Sequence, residues 1–161
     1  MTTPDPKLLE RALRWLARRE YARSQLREKL IRLGDHPERI ESVLDHLSAI
    51  GAQSDRRFTE EYVRSKVGRG FGPLKIGHAL EAHGIAHELI VAELGRPDAA
   101  WIPVAERVRA RHFGMDRPVD GATRERQSRF LLQRGFTPPV VAGLWQGWGH
   151  EVLTGDGDPV A

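Results

Sequence analysis

The chain has 161 residues and no cysteine, with 40% apolar residues, 7% aromatics, and 25 Lys+Arg against 22 Asp+Glu for a net charge of +3. That length suits one domain or a few small repeated units, and the apolar share excludes wholesale disorder. Without cysteine there is no disulfide, no Cys-ligated metal and no thiol nucleophile, and no stretch approaches the roughly 18 apolar residues of a membrane-spanning helix.

Taken in order, the segments all read as helix. Leu9, Ala12, Leu13 and Leu16 recur at helical spacing, as do Ile40, Val43, Leu44, Leu47 and Ile50, while no run alternates as a strand would. An all-α fold follows. The opening Met1-Thr2-Thr3-Pro4-Asp5-Pro6 has neither a basic nor an apolar signal region, so a soluble cytoplasmic protein is expected. Helix one spans about Pro6 to Arg19. Helix two starts near Ser24 and stops at Gly34. Helix three follows Pro37 and stops at Gly51. Helix four opens near Ser54/Asp55 and carries Phe58, Tyr62 and Val63. Gly68, Gly70 and Gly72 break the chain before helix five, which runs from Pro73 to Gly84. Helix six covers Ala86 to Leu94 and helix seven Asp98 to about Phe113. After a loop with Gly114, Pro118 and Gly121, helix eight ends at Gly135. Helix nine begins near Pro138 and carries Val140, Val141, Leu144 and Trp145, and the glycine-rich stretch after Trp148 reads as a frayed tail.

The glycines expose a period. Gly34, Gly84 and Gly135 each close the middle helix of a triplet, and an apolar anchor (Leu30, Leu80, Leu131) precedes each by four residues. Such a period reads as a tandem array in which each unit buries its face against its neighbours. The expected organisation is three three-helix repeats over 1–52, 53–97 and 98–149, with a flexible C-terminal tail over 150–161.

The search for chemistry is mostly negative. Gly68-Arg69-Gly70-Phe71-Gly72-Pro73 lacks the preceding strand and the Lys-Ser/Thr pair of a phosphate loop, so it reads as a tight interhelix turn. His83 and His87 lie one helical turn apart but have no metalloprotease context. Glu60-Glu61 sit early in a helix, where acids offset the macrodipole. No catalytic constellation, cofactor site or metal site is expected.

The basic residues are better organised. They comprise 21 Arg and 4 Lys, and Arg is the donor fork suited to carboxylates, phosphates and ring faces. Lys7, Arg11, Arg14 and Arg18 form a stripe on helix one, and Arg23, Arg27 and Lys29 follow. Arg107, Arg111, Arg124 and Arg126 lie in the third repeat. A solvated face and a partner surface both fit this pattern. Without interleaved aromatics the stripe has little of a base-stacking surface. Each triplet's last two helices could form a helix-turn-helix. However, the third helices are acidic (Glu38, Glu41 and Asp45; Glu88 and Glu93) or apolar, which speaks against major-groove reading.

Three stretches in order resemble the RecX family, regulators of the RecA recombinase. They are Arg23-Ser24-Gln25-Leu26 with Lys29-Leu30 and Gly34; Asp55, Phe58, Tyr62 and Val63 with Arg69-Gly70-Phe71-Gly72-Pro73, Ile76, Leu80 and Gly84-Ile85; and Arg129-Phe130-Leu131 with Arg134-Gly135-Phe136. The resemblance covers roughly residues 8–148. It implies an elongated, curved array of three-helix repeats and a monomeric modulator rather than an enzyme. Its partner would be the RecA filament on single-stranded DNA, bound in the filament groove, with possible direct binding to DNA. The implied effect is reduced ATP hydrolysis, strand exchange and coprotease activity in DNA repair and the SOS response. The charge pattern, not the resemblance, nominates contact residues: Arg11, Arg14, Arg18, Arg23 and Arg27 at one end, and Arg69, Lys75, Arg124 and Arg126 further along. The competing reading is a stand-alone helical nucleic-acid-binding module without a recombinase partner.

Overall fold

Helix boundaries follow local end chemistry throughout the structure, a computed structural model that describes residues 3–153, with side chains through residue 148. Among the described residues there are nine helices and no strand. They are α1 (Pro6–Leu16), α2 (Arg23–Ile31), α3 (Pro37–Ala49), α4 (Asp55–Gly68), α5 (Pro73–Ala82), α6 (His87–Leu94), α7 (Asp98–Phe113), α8 (Gly121–Gln133) and α9 (Pro138–Leu153). Asp5 caps α1, accepting from the N–H groups of Lys7 at 2.9 Å and Leu8 at 3.2 Å. Asp120 caps α8 through the Thr123 N–H at 2.7 Å. These N–H bonds hold both carboxyls below the usual carboxylate range. Proline opens α1, α3, α5 and α9, where its missing N–H costs no helical bond.

Helix two ends at Ile31, short of the Gly34 at which the sequence stops it, and two further ends differ from the sequence reading. Helix one stops at Leu16 rather than Arg19, because Tyr21 and Ala22 are buried and the chain must leave the helix to carry them inward. Helix α9 continues past Trp148 to Leu153, into the stretch read as a tail, and residues 154–161 lie outside the described residues.

The chain forms two compact units. One takes in the described residues up to Arg64 together with His78–Leu94. The other takes in Ser65–Gly77 and the described residues from Gly95 onward, so the boundary passes through α4 and α5. In the first unit Leu8, Ala12, Tyr21, Leu26, Leu30, Ile40, Val43, Leu44 and Leu47 make one buried cluster. Each such large side chain contributes about 1.5–3 kcal/mol by leaving water. Of the α1 stripe read as Leu9, Ala12, Leu13 and Leu16, Ala12 is buried and Leu9 and Leu16 pack against this cluster, while Leu8 joins it and Leu13 stays 38% exposed. Ile50, read as the end of the α3 stripe, is also exposed. In the second unit α7, α8 and α9 pack Trp101, Val104, Ala105, Leu131, Val140 and Leu144 into a core.

The glycine that closes each middle helix acquires a further role. Gly34, Gly84 and Gly135 all adopt the left-handed conformation, with φ of +82°, +72° and +98°. In the first unit the start of α2 rests on the glycine turn of α5: the Ser24 hydroxyl donates to the His83 carbonyl, and Ser24 Cβ lies against Gly84. In the second unit the start of α5 rests on the glycine turn of α8. There the Gly72 N–H donates to the Arg134 carbonyl at 2.8 Å and the Leu74 N–H to the Gly135 carbonyl at 2.9 Å. At this second seam orphan N–H groups of one helix start meet carbonyls of another helix end, whereas at the first the donor is the Ser24 hydroxyl. At the Gly72–Gly135 seam the backbones touch: a Cβ on Gly135 would sit 2.6 Å from Lys75 Cβ and 2.7 Å from its nitrogen. The Gly68–Pro73 segment is therefore an interhelix turn built to receive another turn.

Candidate functional site

The nominated cations divide between the two units, and the structure separates those tied to carboxylates from those that are not. In the first unit Arg11, Arg14 and Arg18 stand exposed on α1. Arg14 pairs with Glu10 one turn earlier at 2.7 Å. Arg11 and Arg18 form no ion pair among the described residues. Arg23 and Arg27 do different work. Arg23 Nη2 donates to Glu41 at 2.9 Å and Asp45 at 2.6 Å, and Arg27 grips Glu41 through Nε at 2.5 Å and Nη2 at 3.2 Å. The hydrogen bonds from Arg27 and then Arg23 pull the Glu41 carboxyl down to about 2. These two arginines hold α2 against α3, and two of the α3 acids that argued against DNA reading, Glu41 and Asp45, are their partners.

In the second unit Arg69 and Lys75 are exposed beside the Gly72–Gly135 seam. Lys75 lies over the Phe71 ring at 5.3 Å. Arg124 lies over Trp145 at 5.7 Å, and that indole donates to the Ser128 hydroxyl at 2.7 Å. Arg126 is exposed and stands near Asp120, whose carboxyl it helps to lower. Neither Arg69, Lys75 nor Arg126 forms an ion pair among the described residues. His83, weighed as a metal ligand, packs edge-on against Phe58 and Tyr62 at 5.7 Å from each. Among the described residues no group of His, Asp and Glu is arranged to hold a metal ion.

Two features escape a reading of the sequence. Arg109 is fully buried on α7. Its guanidinium makes paired 2.9 Å bonds to Glu106, and 3.2 Å bonds to the Asp116 carbonyl and to Gln127, and it lies 4.8 Å from the Trp148 ring. It pins the 114–120 loop to α7 and α8. The available signal is its place on the apolar stripe of Trp101, Val104 and Ala105, where an arginine is conspicuous. The second is Arg134, whose guanidinium lies 4.8 Å from Phe71 and 5.5 Å from Phe130. In the sequence it stands only as part of a motif.

Comparison with known proteins finds clear relatives of the chain. Residues 9–47 match the model described as the first three-helix domain of RecX, and residues 54–94 match that of its second three-helix domain. The chain is 42% identical over 130 residues to the regulatory protein RecX of Halorhodospira halophila, an alignment covering 81% of each protein. It is 41% identical over 144 residues to that of Acidithiobacillus ferrooxidans, covering 88% of this chain and 90% of the relative. The crystal structure of RecX from Lactobacillus salivarius shares the fold, with a TM-score of 0.75 at 21% identity over 88% of this chain and 94% of that one. A second RecX crystal structure aligns with a TM-score of 0.73 at 20% identity, over 87% of this chain and 70% of the other.

Proposed function

Because the chain belongs to the RecX family, whose members are named regulatory proteins, we propose that it regulates the RecA recombinase. On this reading it docks on the filament that RecA forms on single-stranded DNA. Docking lowers ATP hydrolysis, strand exchange and coprotease activity, and so tunes DNA repair and the SOS response. It acts by binding, without catalysis of its own, as a monomer in the cytoplasm. Its working units are the three-helix repeats 1–52, 53–97 and 98–149, a division supported by the equivalent α2–α5 and α5–α8 seams. No helix among the described residues is long and apolar enough to cross a membrane.

The observation that carries this reading is that six of the nominated cations, Arg11, Arg18, Arg69, Lys75, Arg124 and Arg126, are exposed and form no ion pair among the described residues. A filament offers acidic side chains and DNA phosphates to such donors, and binding through them falls steeply with salt. Arg23 and Arg27 leave the contact set, because displacing their α3 carboxylates would loosen the first unit.

The test is the single-strand-dependent ATPase of RecA titrated with this protein. Reversing Arg11 and Arg18, or Arg69 and Lys75, to Glu should raise the concentration needed for inhibition at least about tenfold, while far-UV circular dichroism stays unchanged. Absence of inhibition by the native chain, or inhibition indifferent to both reversals, would refute the reading.

A further inference from the structure

We propose that the Gly34 turn, at the end of α2, is a docking point for another protein, and that what it takes is the uncapped first turn of a helix. The inference rests on the recombinase reading above and assigns that helix to a subunit of the filament.

The chain carries three glycine turns in register, and its own fold shows what such a turn accepts. Leu33, His83 and Arg134 are equivalent positions, each just ahead of its left-handed glycine. The His83 carbonyl accepts from the Ser24 hydroxyl, in the first turn of α2, and Ser24 Cβ rests on the glycine that follows. The Arg134 carbonyl accepts from the Gly72 N–H and the Gly135 carbonyl from the Leu74 N–H, at the first turn of α5. In both cases a helix start with a small residue at the contact, Ser24 or Gly72, brings donors to the carbonyl end of another helix. Among the described residues no donor reaches the Leu33 or Gly34 carbonyl, and none lies within 4 Å of a methyl placed on Gly34. The Gly34 turn is thus the next position of an interface that the chain already builds twice.

The side chains at the three turns differ in the same sense. His83 and Arg134 are polar and packed on rings, His83 against Phe58 and Tyr62 and Arg134 against Phe71 and Phe130. At the open turn the equivalent residue is Leu33, 44% exposed, and Ile31 two residues earlier is 53% exposed. A helix start seated there takes this apolar pair out of water and gives the two carbonyls donors. The end of α2 also carries the negative pole of its macrodipole, which favours a helix N-terminus against it. A second copy of the chain cannot supply that element. The starts of α2 and α5 are already seated on turns of their own chain, and at the start of α8 the Asp120 side chain holds the Thr123 N–H. The occupant is therefore a different protein.

The experiment is inhibition of the single-strand-dependent ATPase of RecA by the full chain and its variants, with a photocrosslink to locate the contact. Ile31→Lys with Leu33→Lys should raise the half-inhibitory concentration at least about tenfold, because the apolar pair is lost and cations face a helix N-terminus. Added cations strengthen contacts to phosphate and carboxylate, so weakening by lysine is the opposite of what the charge contacts alone predict. Ile31→Glu with Leu33→Glu loses the same pair but places anions there, and should be about threefold less harmful. Lysine suits the C-terminal end of α2, so the thermal midpoint of the lysine variant should hold. Val91→Lys, at an equally exposed position on α6, should change nothing. Benzoylphenylalanine in place of Leu33 should crosslink to a RecA residue in the first turn of a helix. Three results would overturn the proposal and leave the recombinase reading standing: inhibition indifferent to the lysine pair, a glutamate pair as harmful as the lysine pair, or a crosslink elsewhere on RecA, to a second copy or to residues 154–161. A native chain that neither inhibits nor crosslinks would remove the recombinase reading itself.

Discussion

Replacing Gly135 by alanine should destabilise the second unit far more than the same change at Gly34 destabilises the first, although the two glycines are equivalent by period. Both have left-handed backbones, at φ +98° and +82°, so both substitutions incur a conformational cost of about 1–2 kcal/mol. At Gly34 that is the whole effect, because no described residue lies within 4 Å of the added methyl. At Gly135 the methyl would lie 2.6 Å from Lys75 Cβ and 2.7 Å from Lys75 nitrogen. Backbone cannot yield as a flexible side chain does, so the start of α5 must withdraw. Withdrawal weakens the Gly72–Arg134 and Leu74–Gly135 hydrogen bonds, of 2.8 and 2.9 Å, each contributing about 0.5–1.5 kcal/mol. Forced overpacking adds about 1–3 kcal/mol. The Gly135→Ala excess over Gly34→Ala is therefore roughly 2–6 kcal/mol. Urea unfolding measures it, with tryptophan emission reporting on Trp101, Trp145 and Trp148 in the second unit and circular dichroism on the helices as a whole. If the two variants lose stability within about 0.5 kcal/mol of each other, the seam is not the tight junction described.

Arg109→Met should cost about 3–5 kcal/mol, since it leaves Glu106, Gln127 and the Asp116 carbonyl facing an apolar side chain; a thermal midpoint within a degree or two of the native chain would contradict this. Acid should unfold the first unit in part through Glu41. Its pKa falls from an ordinary 4.5 to about 2 on folding, so its stabilisation is complete above about pH 4.5 and is lost as pH falls toward 2. Glu41→Gln should flatten that limb of the stability profile, and an unchanged acid limb would mean that other carboxylates govern it.

The features legible in the sequence are those encoded locally. Pro37, Pro73 and Pro138 mark helix starts and Gly34, Gly84 and Gly135 mark ends, because each acts through its own backbone preference. Which edge of the α1 stripe is covered is not legible in this way, because Leu8 and Leu13 flank the Leu9, Ala12 and Leu16 face symmetrically, and only the packing of the other helices decides between them. The candidate contacts are partly legible. Counting finds the cations, but whether a cation is committed depends on carboxylates distant in sequence, as Arg23 and Arg27 show with Glu41. The seating of Arg134 against Phe71 and Phe130 is invisible for the same reason, since Phe71 reaches Arg134 only when the two glycine turns meet.

The seam also has a direction, which bears on how such a chain could lengthen. Each junction is a socket, the glycine turn at a middle-helix end, and a plug, the start of the preceding middle helix. The Gly34 turn is a socket with nothing seated against its glycine among the described residues. At the other extreme the start of α8 is sealed by the Asp120 side chain, which holds the N–H of Thr123. A duplicated unit spliced in ahead of α1 would find a mating surface already made, whereas one added after α9 would first have to displace a cap. Tandem growth of this architecture is therefore polar, open upstream and closed downstream.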